Sequence, residues 1–309
     1  MTATTKLVGF LVALLAVFGG AVVIGRVVGP VEPATAATHG AMDMGQGDQG
    51  AAGAFPKGLM VSQDGYTFEL PATTLAAGPD VPVAFMIQGP DGRPVTRFDE
   101  EHDKRLHLIA VRRDFSGFQH VHPRMAADGT WTTTLDLSAG QWRLFADFKA
   151  TGGPAITLGN DLAVPGAYQP AAPSPDSQTS TVDGYTVTLD GHLSAGKAAK
   201  LTLTVTRDGQ PVTDLEPYLG AYGHLVALRA GDLAYLHVHP EGTPGDGVTK
   251  PGPGVVFYAE VPSSGRYQLY LDFKHEGVVR TAAFTLTGSG GTAMENSGKS
   301  EDGHSGHAH

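Results

Sequence analysis

The sequence predicts an all-β protein with two tandem immunoglobulin-like β-sandwich domains after an N-terminal transmembrane or signal helix. Three observations lead to this fold class. Two segments, 91–123 and 208–240, align with each other without a gap. The apolar runs in both are short, and Asp-Gly pairs fall between them. Several short strands with regular turn signals in about a hundred residues are typical of a sandwich.

The internal repeat defines the expected domain organisation. The motif DGRPVT at 91–96 returns as DGQPVT at 208–213, and the match continues at the same offset into the histidines described below. A Gly/Pro-rich insertion near 242–254 in the second copy is predicted to be a surface loop. We expect a signal peptide or membrane anchor at 1–28, a flexible stalk at 29–57, repeats at 58–164 and 182–287, a linker at 165–181, and a disordered tail at 288–309.

The strand predictions depend on alternation of apolar and polar residues. The run at 201–206 alternates at period two, and the runs at 131–137 and 266–273 do so in part. Successive side chains of a strand point to opposite faces, so these runs predict strands with one face in a core.

Composition excludes several classes of function. The formal net charge is −10, which is unfavourable for binding to nucleic acid phosphates. The chain has no cysteine. Disulfides, cysteine nucleophiles and thiolate metal sites, including blue copper, are therefore excluded. Any soft-metal chemistry has to use histidine and methionine.

Residues 7–25 form an uncharged apolar run long enough to cross a bilayer as a helix. Two alternatives remain open from the sequence: a retained single-pass membrane anchor, or a secretory signal cleaved near Ala34-Thr35-Ala36. Both place the rest of the chain outside the cytoplasm. The predicted location is the cell membrane with an extracytoplasmic C-terminal part, or the exterior after cleavage.

A hairpin with three histidines is predicted at residues 107–122, HLIAVRRDFSGFQHVH. Two apolar runs flank a four-residue loop, 113–116, which is a common hairpin connection. Folding about this loop pairs three sets of residues: Val111 with Phe118, Ile109 with His120, and His107 with His122. The second copy gives the matching pairs: Leu228 with Tyr235, Val226 with His237, and His224 with His239.

All three histidines of each hairpin should share one face, because every second residue of a strand faces the same side. Opposed Cβ atoms lie about 5 Å apart, so the imidazoles can reach a common ion. Such a set suits copper, and zinc as a second choice. Two metal sites are thus predicted, one from each copy: His107, His120 and His122; and His224, His237 and His239. The alternative is that these histidines only make structural hydrogen bonds.

Further ligands are predicted from recurring carboxylates and from the two chain ends. The recurring acids could be fourth ligands or could orient an imidazole: Asp99, Glu216, Asp147 and Asp272. Short His/Met tracts at the ends are compositional signs of metal binding: His39, Met42, Met44, His304, His307 and His309. Three histidines without a repeat partner are predicted to be ordinary surface residues: His102, His192 and His275.

At these motifs the sequence resembles a group of bacterial exported proteins described as heavy-metal or copper associated, with tandem immunoglobulin-like His-x-His-Pro repeats. The resemblance rests on residues 106–111 with 118–123, and on 214–221 through His224 with 236–240. It covers the two repeats and implies export and a link to metal, but no reaction. In similar proteins a methionine often stands where Tyr222 does here. Its absence counts against a Cu(I)-type site in the second copy.

The predicted function is therefore a non-enzymatic extracytoplasmic metal-binding protein, most simply for copper, that buffers or delivers the ion at the outer membrane face. Its expected partners are the ion and, through an uncleaved helix, the membrane; no nucleic acid is expected, and the sequence identifies no partner protein. The alternative is a structural or protein-interaction module without metal. A hydrolytic metal enzyme is a third class, for which no general acid or base is identifiable.

Overall fold

The computed structural model describes residues 56–290, apart from His237. Every regular element in this part of the chain is a β-strand, so the all-β prediction is confirmed. No helix among the described residues is long and apolar enough to cross a membrane. The predicted anchor or signal helix lies outside the described residues, as do nearly all of the stalk and the tail.

Ten strands form the first repeat: β1 (Ser62–Gln63), β2 (Tyr66–Glu69), β3 (Gly78–Gln88), β4 (Phe98–Asp99), β5 (Leu106–Arg112), β6 (Gln119–Val121), β7 (Arg124–Met125), β8 (Trp131–Leu137), β9 (Gly140–Ala150) and β10 (Ala155–Val164). Ten more form the second: β11 (Thr179–Val182), β12 (Tyr185–Asp190), β13 (Ala198–Arg207), β14 (Gln210–Pro211), β15 (His224–Arg229), β16 (Tyr235–Leu236), β17 (Val238–Pro240), β18 (Gly254–Glu260), β19 (Gly265–His275) and β20 (Val278–Gly288).

Each repeat is a two-sheet antiparallel sandwich with immunoglobulin strand order. In the first repeat one sheet runs β1-β2-β3-β8-β7 and the other β10-β9-β5-β6. The second repeat has β11-β12-β13-β18-β17 and β16-β15-β19-β20. Naming the main strands A to G in chain order gives an A-B-E-D sheet and a G-F-C-C′ sheet, which is the immunoglobulin arrangement. The predicted tandem sandwiches are therefore confirmed.

Alternation of side chains fills the core of each sandwich. In β13 the side chains of Leu201, Leu203 and Val205 are fully buried, whereas the residues between them are partly exposed. The same pattern places Trp131 and Leu135 of β8 in the first core. These are the strands that the period-two runs predict.

A third apolar cluster lies between the two repeats, and we call it the seam. It joins the outer faces of the two G-F-C-C′ sheets and consists of Ile109, Val111, Phe145, Val226, Leu228, Leu233, Tyr235 and Tyr270, with Phe115 and Phe118 packed against them. β5 and β15 are thus buried on both faces, one toward their own sandwich and one toward the other repeat. The rings of Phe118 and Tyr270 stack with centroids 3.9 Å apart.

The connecting segments are tied to the repeats more closely than the linker prediction implies. The Tyr168 hydroxyl and the Ala171 amide both donate to Asp114, at 3.1 and 2.8 Å. β11 begins at Thr179, inside the predicted linker 165–181. Residues 241–253 lie between β17 and β18, and hold no strand, in agreement with the predicted surface loop.

Candidate metal site

The first histidine hairpin has the predicted register. β5 and β6 pair Leu108 with Val121, Ile109 with His120, and Ala110 with Gln119. The backbone closes the loop through the Arg112 amide, which donates to the Ser116 carbonyl at 3.0 Å. His107 and His120 therefore share the outer face with the seam residues, as the alternation of side chains requires.

Four imidazoles meet where the seam ends, and three of them come from the first hairpin. Ring centroids of His107, His120 and His122 lie 4.9–5.3 Å apart. The ring of His224 from the second repeat stacks on His107 at 5.6 Å and lies 5.0 Å from His120. We call these four residues the histidine cluster. It draws on both repeats, unlike the two separate sites that the sequence predicts.

Hydrogen bonds fix the orientation of two rings in the cluster. His107 Nε2 donates to the carbonyl oxygen of Glu101 at 3.0 Å, and His120 Nδ1 donates to Asp272 Oδ2 at 2.8 Å. A carbonyl and a carboxylate only accept, so these two ring nitrogens carry the protons. Such partners are the usual way in which a protein presents the other nitrogen of a histidine to a metal.

The two remaining nitrogens of these rings face each other. His107 Nδ1 and His120 Nε2 are 3.1 Å apart. In neutral imidazoles with the tautomers just described both atoms carry lone pairs, so the contact is repulsive unless a cation lies between them. A transition-metal ion would serve both lone pairs at once.

The separations are close to those of a coordination shell. Ligand nitrogens of His107, His120 and His224 all lie within 4.8 Å of one another. Nitrogens bound at about 2.0–2.1 Å to a tetrahedral ion are about 3.4 Å apart. The His107–His120 contact of 3.1 Å is close to this spacing, and the nitrogen of His224 lies within 4.8 Å of both.

His122 brings an unsatisfied nitrogen to the cluster. Its Nε2 is buried and has no hydrogen-bond partner. A buried polar atom without a partner costs about 1–3 kcal/mol, so it calls for an explanation. A bound ion nearby would supply one, but His122 lies outside the group of ligand nitrogens within 4.8 Å of one another, so it borders that group.

Burial keeps most of the cluster neutral, which is the form that binds metals. Burial and the neighbouring His120 lower the pKa of His107 to about 4. Burial, His120 and His107 lower the pKa of His122 to about 3. The pKa of His224 is lowered well below its ordinary value by burial, then by His120 and His107. Little competition from protons is therefore expected at neutral pH.

Of the predicted second site, His224 with His237 and His239, the structure describes His224 and His239. β15 and β16 keep the predicted register, with Leu228 opposite Tyr235. His239, however, lies on β17, which pairs with β18 of the other sheet, and it stands opposite Tyr258. His239 thus belongs to the other sheet of the sandwich from His224. His237 lies outside the described residues.

The four recurring carboxylates have different positions. Asp272 accepts the hydrogen bond from His120 and is paired with His224 across β15 and β19. Asp147 is the matching partner of His107 across β5 and β9, and it accepts from Thr157 at 2.7 Å. The prediction that such an acid could orient an imidazole is met by Asp272.

The other two carboxylates are held by lysines. Asp99 lies 3.5 Å from the ammonium of Lys149 and accepts from Thr151. Glu216 lies 2.7 Å from the ammonium of Lys274. Neither belongs to the histidine cluster, so the structure does not support them as ligands. The ligands predicted at the chain ends lie outside the described residues: His39, Met42, Met44, His304, His307 and His309.

Of the three histidines predicted to be ordinary surface residues, one is buried and one is exposed beside the histidine cluster. His275 is buried, with its nitrogens 2.7 Å from the Tyr185 hydroxyl and 3.1 Å from Asp214. His102 is exposed, but its ring lies 5.6 Å from His224 and 6.1 Å from His107. No repeat partner marks either residue, so the internal alignment does not single them out. His192 is exposed, as predicted.

Comparison with solved structures returns adhesins and other proteins at low identity. The Escherichia coli adhesin FdeC is 14% identical, over 74% of this chain and 65% of that one, with a TM-score of 0.24. The Yersinia pseudotuberculosis adhesin InvE is 11% identical over 72% and 58%, with a TM-score of 0.21. Salmonella alpha-2-macroglobulin is 12% identical over 76% and 15%, with a TM-score of 0.26. The chain spans less than two thirds of the length of each.

No curated protein sequence matches the chain. One family model does, and it matches twice, at residues 61–165 and 180–290. The two matches coincide with the two sandwiches and cover more than half of the chain. The chain thus belongs to the family described as "Domain of unknown function (DUF8832)" and carries two copies of that domain.

Proposed function

We propose that this chain is an exported, non-enzymatic protein that binds one transition-metal ion, copper in preference to zinc, in the histidine cluster between its repeats. His107, His120 and His224 would be the ligands, with the ring of His122 beside them. Asp272 and the Glu101 carbonyl would orient the rings. The 3.1 Å contact between His107 Nδ1 and His120 Nε2 carries the proposal, because a metal ion would accept both lone pairs and relieve their repulsion.

The choice of metal follows from the donor set. The cluster offers neutral imidazoles, and the chain has no thiolate to offer. Imidazole suits copper, zinc, iron and nickel, and divalent copper binds most strongly in this series. Calcium and magnesium prefer oxygen ligands. Copper with zinc as the competitor is therefore the expected selectivity.

Export supports the role of the protein as a buffer or carrier. The uncharged run at residues 7–25 would direct the repeats out of the cytoplasm, either on an anchor or after cleavage. A single imidazole-bound ion held near the protein surface is suited to storage and release at the outer membrane face.

A structural module without metal is the second candidate, and one observation favours it. The hydrogen bonds of His107 to Glu101 and of His120 to Asp272 already tie the first hairpin to a neighbouring loop and to the second repeat.

Elemental analysis separates the two candidates. The full-length chain, with the histidines outside residues 56–290 replaced by glutamine, would be incubated with Cu²⁺, Cu(I) or Zn²⁺ and desalted. We expect one ion per chain, none after His120→Ala, and one after His192→Ala as the matched control. A parent protein without metal, or a His120→Ala variant that keeps it, contradicts the proposal.

A further inference from the structure

A tight turn holds an exposed histidine beside the buried cluster. Residues 101–104 form a two-residue hairpin turn: the Glu101 amide donates to the Lys104 carbonyl at 2.9 Å, and the Lys104 amide donates back at 3.2 Å. The two central residues, His102 and Asp103, have φ angles of 52° and 61°. Such turns strongly favour Asn and Gly at these positions, because other side chains are strained there.

The same turn serves the cluster in two ways. Its Glu101 carbonyl accepts the proton of His107 Nε2 and so leaves Nδ1 free to bind an ion. Its His102 ring stands edge-on to both His107 and His224, at 6.1 and 5.6 Å. His107 is only 3% exposed, whereas His102 is exposed. His102 thus connects the buried rings with solvent.

A small cavity lies between these two histidines. It has a volume of about 40 Å³ and its wall includes His102, His107 and Asp147. A water needs about 10–15 Å³ of such space, so the cavity has room for a water or a partly dehydrated ion. Its wall includes charged side chains, and it adjoins the first ligand of the cluster.

Charge alone would not draw a cation through this cavity. Lys57, Lys104 and Arg105 also line it, against the carboxylates of Glu101 and Asp147. A neutral imidazole coordinates a metal ion without depending on net negative charge. The positive charges of the lysines and the arginine oppose the entry of a cation. An imidazole nitrogen at the mouth of the cavity would coordinate the ion and so lower the free-energy barrier to its entry.

We infer that His102 is an exchange ligand, which takes the ion from solvent or a partner and passes it through this cavity to His107 and His224. This inference rests on the proposed function. His102 is not a member of the group of nitrogens within 4.8 Å of one another, so it does not hold the ion at rest. An exchange ligand changes the rates of uptake and release by the same factor and leaves the affinity unchanged.

The test compares rates in full-length variants. His102→Asn removes the imidazole but keeps a residue that tolerates the left-handed backbone. His102→Met restores a ligand for Cu(I), and His192→Asn is the control at a remote exposed histidine. Cu(I) uptake, and its release to the chelator bathocuproine disulfonate, would be followed by stopped flow, with the copper content and dissociation constant measured on the same samples.

We expect His102→Asn to slow uptake and release each about tenfold, with one ion still bound at unchanged affinity. His102→Met should recover most of the lost rate, which a purely structural role would not allow. Unchanged rates in His102→Asn, or faster release with weaker binding, would overturn the inference about His102. The proposed function would still stand if that variant binds one ion. A parent protein that binds no Cu(I) overturns both.

Discussion

The hairpins of the two repeats carry histidines at aligned positions and use them differently. In the first, β6 ends at Val121 and β7 starts at Arg124, so His122 stays beside His107 and His120. In the second, β17 already starts at Val238, and His239 is paired with Tyr258 in the other sheet. The loop before the next strand is also longer, residues 241–253 against 126–130.

This difference shows that a duplicated motif need not give a duplicated site. β5 and β15 present matching faces to each other across the seam, so His224 lies among the histidines of the first repeat. The second repeat gives one ring and the carboxylate of Asp272, and the first gives three rings. The arrangement predicts unequal effects for matched substitutions in the two repeats.

The largest difference is expected between His224→Ala and His239→Ala. His224 offers a ligand nitrogen to the cluster, so its removal should weaken Cu(I) binding by more than about 100-fold, beyond what loss of an orienting partner costs. His239 lies in the other sheet, and its removal should leave binding unchanged. Competition titration with a chromophoric chelator measures both. Equal losses would restore the prediction of two separate sites.

Asp272→Asn and Asp147→Asn are the next matched pair. Asp272 accepts from His120, so its replacement should lower Cu(I) affinity by about 10–100-fold. Asp147 accepts from Thr157 and should matter much less. The same titration applies, with thermal unfolding to confirm that both variants fold. A greater loss in Asp147→Asn would reverse the assignment of the orienting acid.

Acid should destabilise the metal-free protein through the buried rings. The pKa values of His107, His122 and His224 lie below the unfolded value of about 6.5, so the unfolded chain takes up more protons as the pH falls. The contribution of these three histidines to the free energy of unfolding is therefore complete above about pH 6.5, and it decreases as the pH falls towards their pKa values in the folded protein. Urea unfolding between about pH 7 and 5 measures the slope, above the range where carboxylates titrate. A variant with His107, His122 and His224 replaced by glutamine should show a weaker dependence of the free energy of unfolding on pH. An equal dependence in that variant would rule out the histidine cluster as its cause.

The smallest effect concerns the seam. The Tyr270 hydroxyl donates to the Phe115 carbonyl at 2.7 Å and links the repeats, whereas the aligned residue of the first repeat is Phe145. Tyr270→Phe keeps the stacked ring and loses this bond, which should cost about 1 kcal/mol in the free energy of unfolding. Urea unfolding at neutral pH measures it. No change would mean that water replaces the hydroxyl without cost.

Local pattern was sufficient to predict the fold and the first hairpin. A four-residue loop between two apolar runs predicts the pairing of Ile109 with His120, and the structure has it. The alternation in 201–206 likewise predicts a strand with one buried face. These features depend on neighbours along the chain, which the sequence displays directly.

The seam could not be predicted in the same way, because it depends on how two folded repeats meet. One signal pointed to it: β5 is apolar on both faces, with Leu108 and Ala110 toward the core and Ile109 and Val111 away from it. Continuous apolar strands of this kind are buried on both sides. The role inferred for His102 depends on a turn whose two central residues have positive φ angles. The pair His-Asp does not indicate such a turn in the sequence.

The seam also bears on how such a chain could arise. A protein of one repeat would expose Ile109, Val111 and Phe145 as an apolar patch beside its histidines. A second copy related by a twofold axis would cover that patch, since an isologous interface pairs a surface with itself. The ion would then sit between two identical subunits. Fusion of the two genes makes the pairing intramolecular and independent of concentration, and it frees each half to change its share of the ligands, as the displacement of His239 illustrates.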